Sequence, residues 1–395
     1  MTMASRIADV LGGSAGLSIA GGRQPRTRVL AVLPDLDGGG AQRVTLRLLR
    51  CLDMQRYDVT LLVLDGPGEL SSYVPGCVRL FHAPQRHGLR LGTLATLWHA
   101  RDADVLIACT ELRASYCVQT AARWLRKPSI GWVRIAFDEY AAQLSARHRR
   151  RSRDTYGDFD RLVFVSDGAR QSFERWYGEQ RPAWRTVLNP YQADVPVIGH
   201  PRAEPTELSA SGRPLLTAIG RLESRKGFDL LIRAAGIARR AGAEFDLAIL
   251  GEGPLRDVLQ TQAQAEGIAD RLQMPGFTHD VAQWLRRSRA YVLSSRIEGL
   301  PGTILEAFAA GTPVIATRCP HGPEEMLLQG RCGVLVPVDD AAAMAKAIGE
   351  VLDSPQRCRE LAKAGQQRLR DFAPDVIMPQ WQALIDDLVA QRRIA

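Results

Sequence analysis

Short apolar runs recur along the chain, and stretches with apolar residues at helical spacing separate most of them. In the first half the runs are Arg28–Leu33, Asp58–Leu64, Cys77–His82, Asp104–Cys109, Ser129–Val133, Arg161–Ser166 and Arg185–Asn189. In the second half they are Leu215–Gly220, Phe245–Leu250, Arg271–Met274, Ala290–Leu293, Val314–Ala316 and Gly333–Val336. Runs that are apolar throughout, rather than alternating, predict strands buried on both faces. Their alternation with helices predicts parallel sheets in an α/β fold. Residues 196–213, rich in Pro, Ala, Ser and Gly, read as a linker between a first unit, 25–195, and a second, 214–374. Pro374 restarts a helix that runs close to the C-terminus, with Trp381, Leu384 and Leu388 on one face. Residues 1–24 lack a continuous apolar block and read as a loose, flexible N-terminal extension, not a signal peptide.

Composition narrows the class without naming it. At 395 residues, 46% apolar and 24% charged, the chain is long enough for two globular cores. The formal net charge of +8 favours anionic partners. None of the seven cysteines forms a C-x-x-C pair, so they read as reduced and mostly buried, in a cytoplasmic protein. No apolar stretch approaches the roughly 20 residues that cross a bilayer. The run from Arg147 to Arg153 carries Arg147, Arg149, Arg150, Arg151 and Arg153. It reads as a solvated face or as a patch for anionic lipid headgroups, which would make the protein peripheral on the inner face of the cytoplasmic membrane. Without interleaved aromatics it does not read as a nucleic-acid site.

In parallel sheets ligands gather at the carboxyl ends of strands. The most informative of these ends begins at Ser294, in SSRIEGLPGTILEAFAAGTPVIAT. Glu298 precedes the predicted helix and Glu306 lies about one turn inside it. Between them, the amides of Gly302 and Thr303 sit at a helix N-terminus, where unpaired donors and partial positive charge favour phosphate. The loop RLESRKG places Arg221, Arg225 and Lys226 beyond another strand end, where cations suit a diphosphate. After the first strand, DLDGGG brings Gly38, Gly39 and Gly40 to a tight turn open to backbone approach. It matches neither the dinucleotide fingerprint nor the P-loop. Further strand-end candidates are Asp35, Asp37, Glu111, Arg113, Arg134, Asp138, Glu139 and Ser166.

GGGAQRV, VLNP, GRLESRKG, LGEGPL, GFTHDV, the Glu298/Glu306 segment and GRCGVLVPVDD occur in this order. Together they resemble glycosyltransferase family 4, retaining enzymes of the GT-B fold. The resemblance implies two Rossmann-like domains facing across a cleft, with the C-terminal helix, 375–395, crossing back to the first. It further implies that Arg221 and Lys226 hold a donor diphosphate, Glu298 grips the sugar and Glu306 the ribose. The backbone of Leu300, Pro301, Gly302 and Thr303 would surround sugar and phosphate, with Phe277 beside the base and Gly39 and Gly40 opposite. Glu111, Arg134 and Asp138 would lie on the acceptor side. Relatives often carry His where Arg134 stands, and Asn where Gly302 stands. The implied donor is a nucleotide-diphosphate sugar and the implied acceptor a glycan or lipid-linked glycan of the cell envelope. No metal and no nucleic acid are expected. The alternatives are a sugar-nucleotide epimerase of the same fold and a non-catalytic nucleotide-sugar-binding protein.

Overall fold

The computed structural model describes residues 26–37, 39–83, 89–192, 212–278 and 280–394. The first sheet contains β1 (Thr27–Leu33), β2 (Tyr57–Val63), β3 (Arg79–His82), β4 (Val105–Ala108), β5 (Ser129–Val133), β6 (Arg161–Phe164) and β7 (Trp184–Thr186). Its helices are α1 (Gly40–Cys51), α2 (Leu89–Ala100), α3 (Arg113–Leu125), α4 (Phe137–Ala142), α5 (Ala146–Gly157) and α6 (Asp167–Tyr177). The second sheet contains β8 (Leu215–Ile219), β9 (Asp246–Leu250), β10 (Leu272–Gly276), β11 (Ser288–Leu293), β12 (Val314–Thr317) and β13 (Val334–Val336). Around and after it run α7 (Phe228–Arg240), α8 (Arg256–Ala265), α9 (Val281–Arg287), α10 (Gly302–Ala310), α11 (Pro323–Met326), α12 (Ala341–Asp353), α13 (Pro355–Leu369) and α14 (Pro374–Ile394).

Every strand pairing is parallel. The orders are β3-β2-β1-β4-β5-β6-β7 and β10-β9-β8-β11-β12-β13. Both are Rossmann-like, and both faces of each sheet are covered. In β1, for example, Val29, Ala31 and Leu33 join the core under α1 and α14, while Leu30 and Val32 join the core under α2 to α6. The apolar runs are continuous because neither face of the strand meets water.

The strand order reverses between β1 and β4 in one sheet and between β8 and β11 in the other. At such a reversal the following helices diverge to opposite faces and open a crevice at the strand carboxyl ends. The loops after β1, β4, β8 and β11 are the four from which most candidate residues come. The last helix returns to the first sheet. Trp381 of α14 packs edge-on against Trp132 of β5 at 4.7 Å, and the Tyr57 hydroxyl donates to Asp386 at 2.8 Å.

The expected extension, 1–24, and most of the expected linker, 196–213, lie outside the described residues. Two strands end two or more residues earlier than the apolar pattern predicts. β6 stops at Phe164 because Ser166 turns to cap α6, accepting from Ala169 N at 3.0 Å. β7 stops at Thr186, and by Tyr191 the chain has reached the other half, where the Tyr191 amide donates to Phe372 O at 2.7 Å. All seven cysteines are unbridged, and five are buried. Among the described residues no helix is long and apolar enough to cross a membrane.

Candidate active site between the two sheets

The loop after β8 and the loop after β11 are built against each other. Gly227 has φ 62°, and a Cβ there would collide with the Ser294 carbonyl, so only glycine lets the two backbones lie flush. Ser294 Oγ donates to Lys226 O at 2.9 Å. Arg296 then ties the pair down, donating to Ser224 O at 2.6 Å, to Asp229 at 2.9 and 2.7 Å and to Asp339 at 2.7 Å.

This scaffold sets Lys226 Nζ 2.6 Å from Glu298 Oε1, which also accepts from Ser295 Oγ at 2.7 Å. The side chains are 15% and 8% exposed. Two charges this far out of water persist only as a pair, since desolvating either one alone costs several kcal/mol. Arg221 stands differently. It is 69% exposed and shares Glu223 with Arg225, at 2.8 and 3.0 Å. Of the three loop cations, Lys226 alone is packed onto Glu298.

Pro301 begins α10 without a side-chain cap, and the first turn holds no acid. The same is true of α1, which begins after Gly39. Both helix starts therefore lack a built-in anion. A Cβ on Gly40 or on Gly302 would meet nothing within 4 Å, so open space adjoins both. Thr303 Oγ1 is bonded to the buried Tyr291 hydroxyl at 2.6 Å, which fixes the first turn of α10. The two helices meet across the cleft. Arg47 Nη2 of α1 lies 3.4 Å from Glu306 Oε1 of α10, and Arg43 lies 5.9 Å from the ring of the exposed Phe277.

The loop from Ser294 to Pro301 also touches the first domain. Gly299 abuts the Arg134 carbonyl so closely that a Cβ would collide with it. Ser166 Oγ donates to Gly299 O at 3.2 Å, and Leu300 packs against the cores of both halves. Beside this seam, Glu325 accepts the Asp167 amide at 3.0 Å at the start of α6.

The first-sheet candidates are arranged otherwise. Arg134 follows β5, but its guanidinium turns inward under α1. It donates to Ala41 O and to Thr45 Oγ1, the latter at 2.9 Å, and lies 3.6 Å from the Trp132 ring centre. Burial lowers its pKa to about 10, which leaves it charged at neutral pH. What Arg134 offers the cleft is its backbone carbonyl. Its amide is held by Glu111, whose carboxyl burial pushes above the ordinary range. Asp138 faces α6. Burial works against its charge, but hydrogen bonds from Ser172 and Arg175 hold its carboxyl below the usual range. Among the described residues, one group has the composition of a metal site: Asp138, Glu139 and His321. Arg175 already stands there, 2.7 Å from Asp138 Oδ2 and 3.5 Å from His321 Nε2.

Sequence reasoning singled out Lys226, Glu298, Glu306 and the glycine loop; the structure packs Lys226 onto Glu298 and brings α1, which starts after Gly39, to Glu306 through Arg47. It missed Arg47, Ser295, Arg296 and Glu325. An arginine at helical spacing inside α1 reads as surface charge, and only the fold shows it reaching Glu306. Arg296 carried one usable signal, its place between two serines and Glu298 in a segment already marked as chemical.

Residues 38–194 match the family model described as Glycosyltransferase Family 4, and residues 201–368 match the model described as Glycosyl transferases group 1. The chain belongs to glycosyltransferase family 4. Over 156 residues it is 35% identical to the lipopolysaccharide core biosynthesis glycosyltransferase LpsE of Rhizobium meliloti, covering 40% of this chain and 44% of that protein. Over 199 residues it is 35% identical to a GDP-mannose-dependent phosphatidylinositol monomannoside mannosyltransferase of Mycolicibacterium smegmatis, covering 46% and 49%. The chain thus spans about half the length of these curated relatives, and only 24% of an exopolysaccharide phosphotransferase of Streptomyces coelicolor to which it is 30% identical. The fold is that of Anabaena HepE in complex with UDP and glucose, with a TM-score of 0.77 at 17% identity over 92% of this chain and 100% of that one. It is also that of a sucrose-phosphate synthase from Thermosynechococcus elongatus, with a TM-score of 0.78 at 19% identity over 93% and 100%. For this family 4 chain, GT-B architecture is therefore established: two Rossmann-like domains, with the last helix packed on the first.

Proposed function

We propose that the protein is a retaining glycosyltransferase that moves a sugar from a nucleotide-diphosphate sugar to a glycan or lipid-linked acceptor of the cell envelope. The buried Lys226–Glu298 pair beside the uncapped start of α10 carries this reading. Breaking the anomeric C–O bond puts positive charge on the ring and negative charge on the departing diphosphate. Lys226 and the α10 amides meet that negative charge, and Arg221, exposed at the mouth, adds to it when the diphosphate displaces Glu223. The chain's own cations supply this charge in our reading, so turnover should not fall when divalent ions are chelated. Glu298 accepts from the sugar hydroxyls, Glu306 from the ribose, and Phe277 flanks the base. Attack by the acceptor on the face the diphosphate leaves gives retention. A relative named for GDP-mannose and a structural neighbour holding UDP make both nucleotides the ones to try.

The acceptor side is proposed to rest on an anionic bilayer. Arg147, Arg149, Arg150, Arg151 and Arg153 of α5 are exposed, and α2, which like α5 packs on α3, exposes Leu91, Leu94 and Trp98 along one stripe. Retention on vesicles containing phosphatidylglycerol at low salt supports docking, and passage without retention refutes it. Product analysis with UDP- and GDP-sugars and a lipid-linked acceptor tests the activity. A new glycoside supports the proposal, whereas an isomerised donor marks an epimerase and an unchanged donor a binding protein.

A further inference from the structure

Glu306 is held by a residue that lies 259 positions away, on the opposite domain. Arg47 projects from α1, is only 6% exposed, and places Nη2 3.4 Å from Glu306 Oε1. Its guanidinium also lies 5.0 Å from the ring centre of Tyr191, at the point where the chain passes between the halves. Glu306 remains 22% exposed. One end of this pair is thus locked by packing while the other opens to the cleft. Such asymmetry is ill suited to simple stabilisation, because solvent reaching the open partner screens the ion pair. It suits orientation. A glutamate side chain has several rotamers, and fixing one carboxylate oxygen removes most of that freedom before a ligand arrives.

From this geometry we infer that Arg47 is a positioning residue of the donor site. It aims Glu306 at the ribose diol, and it does so only while the two domains are together. The inference rests on the donor-site reading given above. Its consequence is a specificity one. The free energy of recognising the 2′- and 3′-hydroxyls depends on α1 of the first domain, although the carboxylate that touches them belongs to the second. A nucleotide lacking the diol gains nothing from Arg47.

Titration calorimetry with UDP and GDP, each compared with its 2′,3′-dideoxy analogue, tests this on the full chain. For the nucleotide that binds, Arg47→Gln should weaken the ribose form about tenfold, leave the dideoxy form unchanged, and so lower the diol preference. Arg47→Lys, which keeps the charge but loses the planar fork, should restore part of that preference. Equal weakening of both forms, or of neither, overturns the inference. Glu306→Gln separates the two levels of the argument. If it abolishes the diol preference while Arg47→Gln retains it, the inference fails and the donor-site reading stands. If it too retains the preference, both fail. Should Arg47→Gln prove unfolded by circular dichroism, Arg47→Lys decides alone: a diol preference equal to that of the unaltered chain overturns the inference.

Discussion

The two strand-end rims that face each other across the cleft are built on opposite principles. On the second sheet the charged groups are brought to the surface of the cleft and paired there: Lys226 with Glu298, and Arg221 with Glu223. On the first sheet they are drawn inward and held by partners of their own domain. Arg134 donates into α1, Glu111 holds the Arg134 amide, and Asp138 is taken by Ser172 and Arg175. A site for an anionic, chemically constant group needs fixed countercharge, and the second rim supplies it. The first rim presents mostly backbone: the Arg134 carbonyl, the start of α1 after Gly39, and the start of α6. A rim of that kind imposes shape and closure instead of chemistry.

That contrast can be broken at several points. The largest effect should come from Lys226→Ala, which removes the buried cation and leaves Glu298 unpaired. Sugar transfer should fall by about 10²- to 10³-fold, as for loss of a preorganised countercharge. Transfer close to that of the unaltered chain would take Lys226 out of the mechanism. Gly299→Ala comes next. A Cβ there meets the Arg134 carbonyl, so the domains cannot close as they are. Transfer should drop about 10²-fold, while calorimetry still finds the nucleotide bound to the second domain, weakened by no more than the roughly tenfold that Arg47 supplies. Loss of both together would mean that Gly299 serves the nucleotide itself. Arg134→Ala sharpens the comparison from the other side. It strips two hydrogen bonds and a ring contact from a buried place, and urea unfolding should show a loss of about 2–3 kcal/mol. Per folded molecule, transfer should change little more than a few-fold. A collapse of transfer at normal stability would make Arg134 a catalytic group after all.

The smallest effect expected is a pH dependence of the scaffold. Hydrogen bonds from Arg296 hold the Asp229 carboxyl below its ordinary value of 3.8. A carboxyl depressed in the folded state stabilises it fully above the unfolded value and loses that contribution as pH falls through the folded one. Stability should therefore drop as pH falls below about 4, and Arg296→Leu should lessen that drop. An identical acid profile in the variant would show that the pair contributes nothing.

Much of this was legible in the sequence, for identifiable reasons. Strands buried on both faces must be apolar throughout, so β1, β5 and β8 announce themselves, and the helices between them follow. Lys226 and Glu298 were legible because they lie at strand ends within marked segments, and Glu306 because it sits about one turn into the helix that follows Glu298. Arg134 was legible as a position but not as a direction: nothing in GWVRIAF says that the guanidinium turns under α1 while the carbonyl meets Gly299. Arg47 and Glu325 were not legible. Their partners lie on the other domain, and contacts that cross a cleft leave no local spacing to read.

The account rests on the second rim being a diphosphate site. Calorimetry of UDP and GDP against the unaltered chain and against Arg221→Ala/Lys226→Ala tests that most directly. The account predicts that one nucleotide binds the unaltered chain and binds the double variant at least about tenfold more weakly. Equal binding by both proteins, or no binding of either nucleotide to the unaltered chain, would contradict it.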